Sequence, residues 1–81
     1  MPYYVYILKS INFPDKIYIG YTLDIFSRLQ KHNEGGSVYT KDHRPWEMLW
    51  HCTFPDKSKA LAFEKYLKSH SGRTFAQKRL W

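Results

Sequence analysis

Apolar and aromatic residues run almost unbroken from Tyr3 to Lys9 (YYVYILK). A run of that length predicts a strand in the middle of a sheet, covered on both faces. The stretch Lys16 to Tyr21 (KIYIGY) is also rich in β-branched and aromatic residues and predicts a second strand, in which Gly20 leaves a gap for close approach. Asn12-Phe13-Pro14-Asp15 between them is turn chemistry, so the two strands form a hairpin. The period then changes. Ile25, Phe26 and Leu29 recur at helical spacing and should face a core, predicting a helix from about Leu23 to Asn33. Thr22 is its expected N-cap, Asp24 complements the dipole in the first turn, and Gly35-Gly36 stop it. Ser37 to Trp46 (SVYTKDHRPW) has no period and reads as a basic loop. Glu47 to Phe54 is a third strand, closed by Pro55-Asp56. Asp56 or Ser58 then caps a second helix to about Ser69, with Ala60, Phe63 and Leu67 as its core stripe and Glu64 beside that stripe. Ser71-Gly72 reads as a break, after which Thr74 caps a short last helix ending in Leu80-Trp81. The expected fold is α+β: one domain over residues 1–81, with a three-stranded, mainly antiparallel sheet packed by about three helices in the order β-β-α-β-α-α.

Composition narrows the partner. A chain of 81 residues buries only about 60% of its extended surface, so its core must draw on large side chains, and aromatics make up 19% of it. Thirteen Lys and Arg against seven Asp and Glu give a net charge of +6, which points to an anionic partner, with nucleic acid ahead of a membrane surface. No segment is long and apolar enough to span a bilayer, and the Met-Pro-Tyr-Tyr start lacks the features of a signal peptide. A lone cysteine, Cys52, excludes an internal disulfide framework and fits a cytoplasmic setting. The histidines lack zinc-like spacing, and His51 and Cys52 point to opposite faces of one strand, so a structural zinc is rejected.

Chemistry concentrates where the second strand runs into the first helix. Arg28 and His32 are four residues apart and share a helix face, with Tyr18 just upstream. Taken singly, each has an ordinary reading: a packing tyrosine, a solvated arginine, a helix-end histidine. Lys41, His43, Arg44 and Trp46 in the loop, with Lys65, Lys68, Arg73, Lys78 and Arg79 in the later helices, supply basic and aromatic groups around this junction. Contacts of that kind go to the nucleic-acid backbone and give salt dependence rather than sequence preference.

Taken together, Tyr6 within a strand, Tyr18-Ile19-Gly20, Arg28 ten residues after Tyr18, then His32-Asn33, and Glu64 in a later helix resemble the GIY-YIG nuclease superfamily. The segment RLQKHNEGG looks like its small single-domain bacterial subgroup, whose members resemble the nuclease module of an excision-repair incision protein. Tyr18-Ile19-Gly20 matches the second family tripeptide in full; Tyr4-Val5-Tyr6 stands in the place of the first and keeps only its tyrosine.

The resemblance implies a DNA endonuclease of repair or recombination that cleaves a phosphodiester by tyrosine-assisted water attack with one divalent ion, Mg²⁺ or Mn²⁺. Glu64 matches the metal-anchoring glutamate, and Arg28 the arginine whose fork binds non-bridging oxygens. Tyr18 matches the tyrosine on the attacking-water side, with Tyr6 as its partner. A free phenol ionises near pH ~10, so such a base needs nearby cations. His32 matches a position held by histidine or tyrosine, able to relay a proton or contact phosphate. Lys41, Arg44, Lys68 and Arg73 are the expected nucleic-acid contacts. The implied substrate is branched, flapped or damaged DNA, with RNA as a variant, and with a protein partner or a homodimer as further associations. Two positions depart from the pattern of the excision-repair branch: Tyr21 stands where that branch has a lysine, and Ala76 where it has an asparagine. A non-catalytic nucleic-acid-binding module that retains the fold is the alternative.

Overall fold

The computed structural model describes residues 2–80. Its elements are β1 (Tyr3–Ser10), β2 (Ile17–Thr22), α1 (Ile25–Asn33), a 3-10 turn (Lys41–His43), β3 (Trp46–Phe54), α2 (Lys57–Lys68) and α3 (His70–Arg79). The sheet is antiparallel in the order β2-β1-β3, so the most apolar strand is the central one, as its composition predicts. Register shifts between Ile7 and Leu8: Ile7 pairs with Trp50 and Leu8 with Met48, leaving Leu49 as the extra residue of a bulge on β3.

Alternation along β1 sends its side chains to two different cores. Val5 and Ile7, with Ile19 of β2, pack against Ala60 and Leu67 of α2 and Ala76 of α3. Tyr6 and Leu8 face the other way, against Ile25 of α1 and Trp46 at the start of β3. The sheet is thus the middle of three layers, with α1 on one face and the α2–α3 pair on the other.

Helix starts and faces differ from the sequence reading at several points. Thr22 does not cap α1: its hydroxyl accepts from the Asp24 N–H and donates to the Asp24 carbonyl, closing a tight turn. Asp24 is the cap, its carboxylate accepting from the Ser27 N–H at 3.1 Å and the Ser27 hydroxyl at 2.8 Å. Phe26 is 84% exposed rather than in the core. The inward stripe is Ile25, Leu29 and His32, and Phe26 lies off its edge, about 100° of helix rotation from Ile25 and about 60° from Leu29. Of the two candidates for capping α2, Asp56 does so, accepting from the Ser58 and Lys59 N–H groups. Ser71-Gly72 is no break: Ser69 caps α3 by accepting from the Gly72 N–H, and Thr74 lies inside the helix, donating to the His70 carbonyl. Trp81, expected at the end of the last helix, lies outside the described residues.

Candidate functional site

The site begins with a missing side chain. Tyr6 of β1 pairs across the sheet with Gly20 of β2. A Cβ at position 20 would overlap the Tyr6 hydroxyl and stand 3.0 Å from Cε2 of Tyr18, so only glycine lets the Tyr6 phenol lie across β2 toward the sheet edge. There it meets α1. Tyr6 Oη is 2.9 Å from His32 Nε2, and the Tyr18 ring packs against His32 at a centroid distance of 4.8 Å.

The second ring nitrogen is equally occupied. His32 Nδ1 is 2.7 Å from Thr40 Oγ1, and Tyr6, His32 and Thr40 are all essentially inaccessible to solvent. Thr40 is held in turn by Trp46, whose indole Nε1 donates to the Thr40 carbonyl at 2.8 Å. Asn33 clamps Trp46 from the end of α1, accepting from its N–H at 2.6 Å and donating to its carbonyl at 3.1 Å. The loop that sequence leaves without a period is therefore fixed against α1 by its side chains. Thr40 was missed by sequence reasoning, and nothing in its surroundings distinguishes it: it is a threonine between Tyr39 and Lys41 whose importance comes from a contact formed only in the fold.

Burial sets the charge of this chain of groups. Burial, followed by the Arg28 and Lys31 charges, holds the His32 imidazole below its ordinary pKa, so it is neutral at neutral pH. A neutral imidazole carries one ring proton, so the row Tyr6–His32–Thr40 forms one directional chain of donors and acceptors. Burial also pushes Tyr6 well above the usual phenol range, reinforced by Tyr18 and Glu64, with Arg28 opposing. Tyr6 thus remains a protonated phenol wired to a neutral histidine.

A stability consequence follows for His32. Its folded pKa is depressed, so below the ordinary value of about 6.5 the unfolded chain binds the proton more readily, and its stabilising contribution is lost as pH falls through the folded pKa. Urea midpoints of the wild type should fall between pH 7.5 and pH 5 more steeply than those of His32→Gln. Parallel pH profiles would show that His32 is not the titrating group.

Arg28 is half-buried on α1 and acts electrostatically on both Tyr6 and His32. Glu64 comes from α2, in the opposite layer, and its charge is a lesser contributor to the raised pKa of Tyr6. The Glu64 side chain is 20% exposed and lies 3.4 Å from Lys68 Nζ one turn on. An ion pair this open contributes little to stability and leaves the carboxylate available. Among the described residues no three His, Cys, Asp or Glu gather into a metal cage. A single carboxylate is enough to hold a hard cation that keeps most of its waters.

The expected phosphate-binding cations divide into two groups. Lys68 and Arg73 meet Tyr18 in one groove of about 620 Å³. Lys41 and Arg44 belong to the connection between α1 and β3, where Arg44 Nε donates to the Lys41 carbonyl at 2.8 Å, and they do not line that groove. The two departing positions serve packing: Tyr21 stacks on Tyr3 at 6.3 Å, and Ala76 is fully buried in the core beneath α3.

Comparison with known proteins bears on the family and the fold. Residues 2–79 match the family described as the GIY-YIG catalytic domain. A UPF0213 protein of Staphylococcus epidermidis is 39% identical over 70 residues, covering 85% of this chain and 83% of that protein. The structure-specific endonuclease subunit SLX1 of Malassezia globosa is 41% identical over 76 residues, covering 88% of this chain but 17% of that protein. The solution NMR structure of a UPF0213 protein from Bacillus halodurans superposes with a TM-score of 0.57 at 35% identity, covering 96% of this chain and 82% of that one.

Proposed function

The chain belongs to the GIY-YIG catalytic-domain family, and we propose that it is a metal-dependent, structure-selective DNA endonuclease acting in repair or recombination, with Tyr6, Tyr18, Arg28, His32 and Glu64 as its site. The observation that carries this reading is the split between the two tyrosines. Tyr6 is sealed inside with His32 and Thr40, whereas Tyr18 packs on His32 and is also one of the residues lining a groove that bears Lys68 and Arg73. A wholly structural cluster would have no need of a cationic groove beside it.

In this mechanism Tyr18 acts in its phenolate form, with Arg28 as counter-charge, and takes a proton from the attacking water to become the neutral phenol. Arg28 also donates its fork to the non-bridging oxygens as negative charge grows. Tyr6 and His32 hold the Tyr18 ring from behind, and the neutral imidazole gives the buried phenol a fixed partner. Glu64 would hold Mg²⁺ or Mn²⁺, whose Lewis acidity stabilises charge on the phosphate and the leaving oxygen. Lys68 and Arg73 fix the backbone of the strand being cut, and Lys41 and Arg44 contact phosphates farther from the site.

The substrate class is tested with single-turnover rates on end-labelled single-stranded, duplex, flapped and branched DNA of matched sequence in Mg²⁺. Flapped or branched DNA should be cut about tenfold or more faster than plain duplex, with a steep fall in rate on adding salt. Equal rates on all four would remove structure selectivity from the reading. A non-catalytic module is the second reading, favoured by the use of Tyr21 and Ala76 for packing. It predicts binding to the same DNAs without product.

A further inference from the structure

We propose that the groove beside Tyr18 is a seat for an unpaired strand, holding the single-stranded flank that adjoins the cut phosphate. This deepens the endonuclease reading and rests on it. The groove lies at the end of the sheet face that carries α2 and α3. Its base includes Ile17 of β2 and Leu49, the bulged residue of β3. Lys9 comes from the end of β1, and Lys68, Arg73 and Gln77 come from the two helices.

Three features decide the ligand. The first is charge: Lys9, Lys68 and Arg73 line the groove with one carboxylate, Asp15, and Glu64 beside it is paired to Lys68, so the balance stays positive and favours a polyanion. The second is mixed chemistry, because apolar Ile17 and Leu49 lie among those cations. Phosphates alone would leave that surface unmatched, whereas an unpaired nucleotide can set its base and sugar on it with its phosphate toward the rim. In a duplex the bases are stacked inward, so only its backbone would reach the rim. The third is placement. Tyr18 lines the groove, and Lys68 is ion-paired to Glu64, so a strand in the groove lies next to two residues of the proposed site. The volume of about 620 Å³ is that of a recess for a small part of a strand, not a face for a helix.

The test separates binding from cleavage. In EDTA, the ¹⁵N-labelled wild type is titrated with a ten-residue oligothymidylate and with a short hairpin duplex while amide shifts are followed. Fluorescence anisotropy gives the affinities of the wild type, Lys9→Glu and Gln77→Trp. Oligothymidylate should shift the amides of Lys9, Ile17, Leu49 and Gln77, and each variant should lose about tenfold affinity for it but less than about threefold for the duplex. Shifts confined to residues 37–46, or equal losses for both ligands, would overturn the proposal. Shift mapping on the wild type decides the matter even where a variant folds poorly. Absence of cleavage in Mg²⁺ with the groove shifts intact would refute the endonuclease reading alone, whereas cleavage with shifts elsewhere would refute the groove alone.

Discussion

Glu64→Gln should lower single-turnover cleavage in Mg²⁺ by about 10²–10³-fold, the loss expected when one electrostatic support of the transition state is removed. Folding should be nearly unchanged. The residue lies beside the inward stripe of α2 with its side chain still 20% exposed, its partner Lys68 is half-exposed, and glutamine keeps the shape and helix preference of glutamate. DNA affinity in EDTA should hold or rise slightly, because the substitution removes a negative charge next to the groove and frees Lys68 for phosphate. Gel-resolved rates, thermal melts and anisotropy on the same preparations check all three. A variant that cleaves at the wild-type rate would remove Glu64 from the site.

Gly72→Ala should cost about 3 kcal/mol of stability, read as a lower urea midpoint. Helix propensity argues the other way, since alanine is favoured over glycine by about 1 kcal/mol inside a helix. Packing wins here because a Cβ at position 72 would penetrate the carbonyl of Tyr66 and stand 2.7 Å from the Leu67 Cα. Both are backbone atoms of α2, which is itself anchored in the core through Ala60 and Leu67. No side chain can turn away to make room, so the α2–α3 joint must open. Lys68 and Arg73 flank that joint and line the groove, so DNA affinity should fall with stability. An unchanged or raised midpoint would show that the joint is looser than its geometry implies.

The three strands and their order were legible because their signals are local: continuous hydrophobicity for β1, a turn sequence before β2, an apolar run ended by Pro55 for β3. Capping was harder. Thr22 and Asp24 are two residues apart and either side chain can accept from a helix N–H; the choice depends on where the chain leaves β2, which sequence does not state. Ser71-Gly72 has the composition of a break, but the glycine is there because α3 starts against the end of α2, a tertiary fact. Phe26 misled for a related reason: the third place on the inward stripe of α1 is held by His32, a polar residue whose burial is compensated by Tyr6 and Thr40. The tyrosines, Arg28 and Glu64 were found by their order along the chain and their likeness to a family. Thr40 and the clamp of Asn33 on Trp46 are pairings made across a loop, and neither has a periodic or compositional trace.

The most direct measurement is cleavage of an end-labelled flapped DNA by the purified protein in Mg²⁺, and again after adding excess EDTA. Product that forms with Mg²⁺ and stops on chelation is the expected result. Equal binding with no product in either condition would contradict a metal-dependent endonuclease and leave a nucleic-acid-binding module.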